Sequence, residues 1–407
     1  MKTTLINLIT LIKWIIISTI VGIVVSGFAT LFAFTINLVT TTRENNPWLL
    51  FCLPIGGIAI VGIYTLCGMK KDRGTNLVLS SICHDDNVPL RMAPLIFIGT
   101  AITHLCGGSA GREGAALQIG GSIGNALASV IKLDEYDKKV VIMCGMSAAF
   151  AAVFGTPMAA AIFSIEVISV GVMYYAALVP CIFAAIIAST FASNMGIHPE
   201  RFHIDKLINL SIANVGKVIL IALICALISS IFCYLLHITP KLYSKFFKNH
   251  YVRIIIASIL IIIINLVLQT NDYQGAGVDI IDKAMNGSAV PYAFLIKMIL
   301  TALTIGAGFK GGEIIPSFFI GATLGCTLGH LLGISPSLCA ALGMIGIFCG
   351  VTNCPITSAL ISFELFGYHA ISFFLIVISI SYMMSGYSGL YKDQKILYGK
   401  TKAKYLN

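Results

Sequence analysis

Ten stretches of this 407-residue chain run uncharged for long enough to bear on a membrane: 14–42, 48–69, 92–111, 114–131, 140–165, 167–199, 218–240, 254–271, 314–363 and 365–391. A helix that crosses the hydrocarbon core needs about 20 apolar residues. Several of the runs are long enough for two crossings. The stretch 289–309 adds another, interrupted by Lys297. The expectation is ten to fourteen membrane segments, nearly all helical. The runs are solidly apolar, whereas barrel strands alternate with period two. Charged residues make up 11% of the chain, against about 25% in soluble domains. That is too little charge to cover a soluble surface, and mean hydropathy is +0.94. The chain reads as an all-α, multi-pass integral protein of the cell membrane. A soluble enzyme domain and a nucleic-acid binder are excluded. The run from Trp14 to Thr42 is far longer than the roughly 7–15 residues of a signal h-region, so it reads as a retained span. The twelve Cys form no C-x-x-C pair and read as small buried hydrophobes. No metal site or cofactor is called for.

Two runs are interrupted in the same way. Gly107–Gly124 (GGSAGREGAALQIGGSIG) and Gly306–Gly325 (GAGFKGGEIIPSFFIGATLG) are glycine-rich and carry charge at membrane depth. Irregular backbone is tolerated there only where it is buried in protein or lines a cavity, so broken or re-entrant helices are expected. Aligning Gly120 with Gly321 also places Gly111 on Gly312 and Gly124 on Gly325. A second pair of blocks, 151–167 and 349–365, aligns Pro157 with Pro355, Ser164 with Ser362 and Glu166 with Glu364. This internal repeat divides the chain into 1–203 and 204–407, the second half ending in a short cytoplasmic tail. Repeats with interrupted helices in matching positions point to a transport site at their interface.

Arg112 and Glu113 are adjacent and flanked by Gly111 and Gly114. Glycine on both sides leaves backbone amides open, and a helix expected to start at Ala115 directs its positive end to the same place. The pattern suits an anion site in which the Glu113 carboxylate acts as a tethered anion. Protonation releases it, so one residue can serve as gate and proton carrier. Lys310-Gly311-Gly312-Glu313-Ile314-Ile315-Pro316 repeats the design, with Pro316 suited to a first helical turn. In Arg73-Gly74-Thr75-Asn76, Thr75 or Asn76 would cap a short helix or donate to an ion. Glu166 and Glu364 read as hydrogen-bonding groups that close the halves together. His104 and His330 are single and read as core histidines.

The segment G-S-A-G-R-E-G-A (108–115), with G-x-E-I-I-P (311–316) and the FSIEV block (163–167), resembles the CLC family of chloride channels and anion/proton antiporters. The likeness covers roughly residues 14–391. It implies two inverted-topology repeats of spanning and re-entrant helices, and a homodimer with one ion path per subunit. It also implies an anion held by four helix N-termini. Glu113 matches the external gating glutamate, Gly312 to Pro316 match the G-x-F-x-P segment, and Tyr391 matches the pore tyrosine. The candidate anion-binding set is Thr75, Asn76, Gly111, Arg112, Gly114, Gly312, Glu313, Ile314, Ile315 and Tyr391, with Glu113 for gating and proton transfer. Several positions depart from the family pattern. Gly74-Thr75-Asn76-Leu77-Val78 replaces G-S-G-I-P, so the anion-binding serine is absent. Ala115 and Ile314 replace a Pro and a Phe. Val167 stands where chloride/proton antiporters carry an internal glutamate. The chain also ends soon after Tyr391, without room for cytoplasmic nucleotide-binding domains. Glu313 and the missing serine look similar to the fluoride/proton branch.

The expected function is transport of small halide anions, chloride or fluoride, in exchange for protons, across a lipid bilayer. A passive chloride channel on the same fold is the alternative. An intramembrane enzyme would need a nucleophile–base pair or a motif such as H-E-x-x-H, and the sequence has none. Lys70-Lys71-Asp72-Arg73, the tract Lys241–Lys248 and the tail from Lys392 are placed in the cytoplasm by the positive-inside rule. Val172–Ala192, Val218–Leu236 and Ile371–Met384 supply candidate dimer faces.

Overall fold

The computed structural model describes residues 2–70, 72–84, 86–402 and 404–406, with side chains from Thr4 onward. Lys71, part of the first basic tract, lies outside the described residues. The described residues form sixteen α-helices in two successive sets of eight. The first set is α1 (Lys2–Asn45), α2 (Leu53–Leu66), α3 (Thr75–His84), α4 (Met92–Leu105), α5 (Glu113–Val130), α6 (Glu135–Phe154), α7 (Pro157–Glu166) and α8 (Leu178–Asn194). The second is α9 (Ile212–Phe246), α10 (His250–Leu268), α11 (Val278–Met285), α12 (Ala293–Ala307), α13 (Ile314–Leu332), α14 (Pro336–Thr352), α15 (Pro355–Phe366) and α16 (Ile371–Met384). Six helical stretches are long and apolar enough to cross a bilayer among the described residues. The uncharged run 314–363 is cut into α13, α14 and α15, which is why a count of apolar runs does not match a count of helices.

The cuts follow local backbone chemistry. α6 ends at Gly155, which adopts a left-handed conformation (φ 74°), and Pro157 opens α7. α14 ends at Asn353, also left-handed (φ 59°), and Pro355 opens α15. A left-handed stop, one intervening residue and a proline start use the two signals that end and begin helices. The same device appears at the same place in each set.

The sets also pack alike. A Cβ on Gly120 of α5 would lie 2.1 Å from the Gly145 carbonyl of α6, and one on Gly321 of α13 would lie 2.3 Å from the Gly343 carbonyl of α14. Only glycine permits either approach. The Glu166 carboxylate at the end of α7 accepts the Ile356 and Thr357 amides at the start of α15, at 3.0 and 2.7 Å. Glu364 of α15 accepts the Met158 and Ala159 amides of α7, both at 2.9 Å. Reciprocal capping sets the two helices antiparallel, as inverted repeats require, and it is the structural role expected for both glutamates. Phe150, Phe163, Phe348, Phe318 and Phe154 close a ring across the two halves, with centroids 5.2–6.2 Å apart.

One feature of the tail was not expected. β2 (Lys395–Ile396) pairs in parallel with β1 (Ser169–Val170) just after α7. Buried Gln394 donates to the Val167 and Thr352 carbonyls at 3.1 and 2.9 Å. The chain after Tyr391 is therefore folded back onto the helices.

Candidate functional site

The centre of the molecule is a contact between two interrupted segments. The Gly111 and Gly312 amides each donate to the other's carbonyl, at 2.7 and 2.8 Å, in an isolated antiparallel bridge. α5 starts two residues beyond Gly111, and α13 two beyond Gly312. A Cβ on Gly312 would fall 2.5 Å from the Gly114 amide nitrogen, so the helix starts meet because glycine occupies both positions. A Cβ on Gly114 would lie 3.5 Å from Glu313 Oε2 and 3.6 Å from Thr75 Oγ1, which brings in the first residue of α3. Three helix N-termini, those of α3, α5 and α13, thus converge, and the first amides of each have no intrahelical acceptor.

Glu113 is fully buried. Its Oε2 accepts the Arg112 amide at 3.2 Å. Oε1 lies 3.7 Å from Arg112 Nε and has no hydrogen-bond partner among the described residues. The carboxylate accepts this one main-chain N–H, and α5 begins at Glu113 and not at Ala115. The Arg112 guanidinium is directed elsewhere. It donates to Asn37 Oδ1 at 3.0 Å and to Glu200 Oε1 at 3.1 Å. Glu200 lies far away in sequence and carries no local signal.

A cavity of about 660 Å³ reaches the site from one side. Glu313, Thr75, Asn76, Gln118 and Tyr391 line it, and Lys70, Arg73, Arg253 and Lys392 also border it. Pro240 and Asn249, which flank the tract Lys241–Lys248, belong to the same lining. Residues of the first tract and of the tail, and the flanks of the second tract, therefore border one opening. Glu113 is not part of the lining, so of the two carboxylates Glu313 is the one that reaches this cavity.

The remaining candidates take more specific positions. Thr75 Oγ1 donates to the Gly114 carbonyl at 3.3 Å and accepts from Gln118 Nε2 at 3.2 Å. It is turned toward α5 and does not close its own helix. Gln118, missed in the sequence, stands one turn beyond Gly114 and is a polar residue on a Gly/Ala-rich helix; that combination is the signal for it. Asn76 Oδ1 accepts the Asp393 amide at 3.2 Å, so its oxygen holds the segment that carries Tyr391. Tyr391 is buried with its hydroxyl unpartnered among the described residues. Its segment is not helical, which corrects the expectation of four helix N-termini to three and a tyrosine. Ile314 and Ile315 are buried in the first turn of α13, where only their amides can serve an anion. Lys310 is drawn away to Asp72 at 2.7 Å and over the Tyr64 ring at 4.1 Å. His104 is buried and meets the Gly111 carbonyl at 3.4 Å, whereas His330 meets the Gly287 carbonyl at 2.9 Å but is exposed at the end of α13, which corrects its reading as a core histidine.

At the cavity mouth Arg73 bridges Asp86 at 2.8 Å and Asp393 at 2.6 Å. The Ser80 hydroxyl and then Arg73 hold the exposed Asp86 carboxyl below its ordinary value.

The family described as voltage gated chloride channel matches residues 56–386. The chain is 34% identical over 396 residues to a chloride/fluoride channel protein of Pseudomonas syringae pv. tomato, covering 95% of this chain and 87% of that one. It is 24% identical over 390 residues to the H(+)/Cl(-) exchange transporter ClcA of Vibrio cholerae, covering 87% and 82%. A CLC-type fluoride/proton antiporter of known structure superimposes with a TM-score of 0.91 at 33% identity, covering 95% of this chain and 98% of that one. A slow cyanobacterial Cl−/H+ antiporter shares the fold, with a TM-score of 0.76 at 17% identity over 92% and 94% of the two chains. The chain belongs to the voltage-gated chloride channel, or CLC, family of integral membrane proteins.

Proposed function

We propose that this protein exchanges a small halide, fluoride in preference to chloride, for protons. The reading rests on one observation above all: two carboxylates, Glu113 and Glu313, sit at the start of α5 and α13, on either side of the Gly111–Gly312 bridge. An anion between them is served by the first amides of α5 and α13, by Thr75 and by the Tyr391 hydroxyl. A carboxylate that competes with the anion suits proton coupling, because protonation removes the competing charge and carries a proton in the same event.

Glu113 is the gate and carrier. Ionised, it occupies the amides at the start of α5. Protonated, it yields them to the halide. The Arg112 terminal nitrogens bond Glu200 and Asn37, and its Nε stands 3.7 Å from Glu113 Oε1 without a hydrogen bond, so Arg112 does not lock the Glu113 carboxylate in place. Glu313 is the second proton site, facing the cavity, and it stands in for the internal carboxylate that is missing at Val167. Fluoride is the smaller and more basic halide, and so the better acceptor for a protonated carboxyl such as Glu313. The two relatives at 33–34% identity, whose names include fluoride, support the choice. The cargo is moved without any bond in it being made or broken, so this is transport and not enzymatic catalysis. The repeats meet near residue 203. The basic mouth of the cavity and the tail face the cytoplasm, and two copies associate through apolar faces on α8, α9 and α16.

Paired proton and halide fluxes in proteoliposomes, wild type against Glu113→Gln, test this. Wild type drives protons uphill when a fluoride gradient is applied, and the variant does not. If the wild type shifts its reversal potential with fluoride but not with pH, it is a passive channel and the exchange reading fails. If Glu113→Gln still pumps protons, Glu113 is not the carrier.

A further inference from the structure

The loop that delivers Glu113 is held by a polar stripe on a helix of the other repeat. Lys297, Thr301 and Thr304 lie at i, i+4 and i+7 on α12, and therefore on one helix face. All three are fully buried. Thr304 Oγ1 accepts the Ser109 amide at 3.2 Å, and Thr301 Oγ1 lies 3.0 Å from Ser109 Oγ. Lys297 Nζ donates to the Gly275 carbonyl at 2.7 Å and the Tyr273 carbonyl at 3.1 Å, and sits 5.0 Å from the Phe319 ring centroid. The Gly275 carbonyl also accepts the Ala110 amide at 3.2 Å, and the Gly275 amide donates to the Gly108 carbonyl at 3.0 Å. From Gly108 to Ala110, each residue of the approach to Gly111-Arg112-Glu113 is bonded to α12 directly or through Gly275.

A buried ammonium is expensive in a membrane protein, and no carboxylate pairs with Lys297 among the described residues. Its protons go to two carbonyls and a ring, so it offers nothing to a passing ion. What it does is fix the backbone of the 273–275 turn. The mirror image in the other repeat lacks this. On α4, Thr103 Oγ1 accepts the Lys310 amide at 3.2 Å, as Thr304 does for Ser109. α4 has no lysine or arginine at all (MAPLIFIGTAITHL). The hydroxyl clasp is common to both repeats, and the lysine is added only where the loop carries Glu113.

We infer that Lys297, Thr301 and Thr304 are positioning residues that set the resting place of Glu113 and so fix the proton-to-halide ratio of the exchange. The inference rests on the exchange reading above. A gate carboxylate on a loose loop leaves the anion site without a proton change, and halide then slips through uncoupled. A firmly held loop makes protonation the only way out.

The test uses the full-length protein in liposomes, with fluoride and protons measured together. The variants are Lys297→Met, Lys297→Arg, Thr301→Val and Thr304→Val, with Glu113→Gln as a separate control. Hydrogen exchange over 107–112 and over 308–312 is followed in each. Lys297→Met is expected to lower the proton-to-fluoride ratio about fivefold, the scale of one lost buried hydrogen bond. It should raise exchange over 107–112 and leave 308–312 unchanged. Lys297→Arg keeps the charge and the donors and restores most of the ratio. The two valine variants change the ratio in the same direction by less, and they keep the question open to refutation should Lys297→Met fail to fold. A wild-type ratio in any folded variant of the three non-conservative ones, or fluxes that fall together at constant ratio, overturns the inference. So does unchanged exchange over 107–112, a readout that holds even if the wild type shows no coupling. If Glu113→Gln abolishes coupling while the α12 variants do nothing, only the positioning role is lost. If Glu113→Gln leaves coupling intact, the gate itself is misassigned.

Discussion

Removing Glu166 should cost more than removing Glu364, although the two occupy matching places in the repeats. Glu166 accepts two amides, at 3.0 and 2.7 Å, and the Thr357 hydroxyl at 2.5 Å. It is 6% exposed. Glu166→Ala leaves the Thr357 amide and hydroxyl buried without an acceptor, at about 1–3 kcal/mol for each unsatisfied group, whereas Ile356 is 52% exposed and its amide can turn to other partners. Allowing for relaxation, the expected loss is roughly 3 kcal/mol, at the upper end of the usual range for single substitutions. Glu364 accepts two amides and no hydroxyl, and Met158 is 45% exposed, so truncation leaves one buried donor, the Ala159 amide, without its acceptor. Its truncation should cost about 1–2 kcal/mol, the scale of a lost helix cap. The double variant should lose less than the sum, because both carboxylates hold the same antiparallel pair of helices. Denaturation in mild detergent gives the three values, and liposome flux gives the function. The folded fraction of each variant should keep the wild-type proton-to-halide ratio. Equal costs for the two truncations would refute the reasoning. A stable Glu166→Ala protein with altered anion selectivity would refute it more deeply, because Glu166 would then be an ion ligand and not a cap.

Tyr391→Phe removes a hydroxyl that has no protein partner, so stability should change by less than about 0.5 kcal/mol. Halide affinity, read from the concentration dependence of flux, should fall about tenfold, the scale of one hydrogen bond to a charge. Gly312→Ala puts a Cβ 2.5 Å from the Gly114 nitrogen; it should cost about 3 kcal/mol as an overpacked core site and abolish flux in both directions. Asp86 is held below the ordinary carboxyl value of 3.8, first by Ser80 and then by Arg73. A depressed carboxyl stabilises above its unfolded value and loses that contribution as pH falls through the folded one. Protection of the 391–398 amides, which Arg73 ties to Asp86 through Asp393, should therefore hold from neutral pH down to about pH 4 and fall below it. Asp86→Asn should show weaker protection at neutral pH and no such step.

The sequence alone determined a good deal. Charge-free runs fixed a membrane protein of helices, because unsatisfied backbone groups cannot face lipid. Gly111, Glu113, Gly312 and Glu313 stood out because glycine and charge together at membrane depth are costly unless used. Glu166 and Glu364 were legible as links between halves from their matching positions. Tertiary structure decided the rest. It turned Thr75 to α5, gave the Asn76 oxygen to the Asp393 amide, sent Arg112 to Glu200, drew Lys310 to Asp72, and left three helix starts where four were expected. It also gave Lys297, in sequence only an interruption of an apolar run, two carbonyls and a ring to hold. Each of these turns on a partner tens or hundreds of residues away. Local pattern records what a residue requires, such as an acceptor, a counter-charge or room for a backbone, because that cost is intrinsic to the side chain. Which group meets the requirement depends on where the folded chain brings its distant parts together, and no spacing within a single helix contains that information.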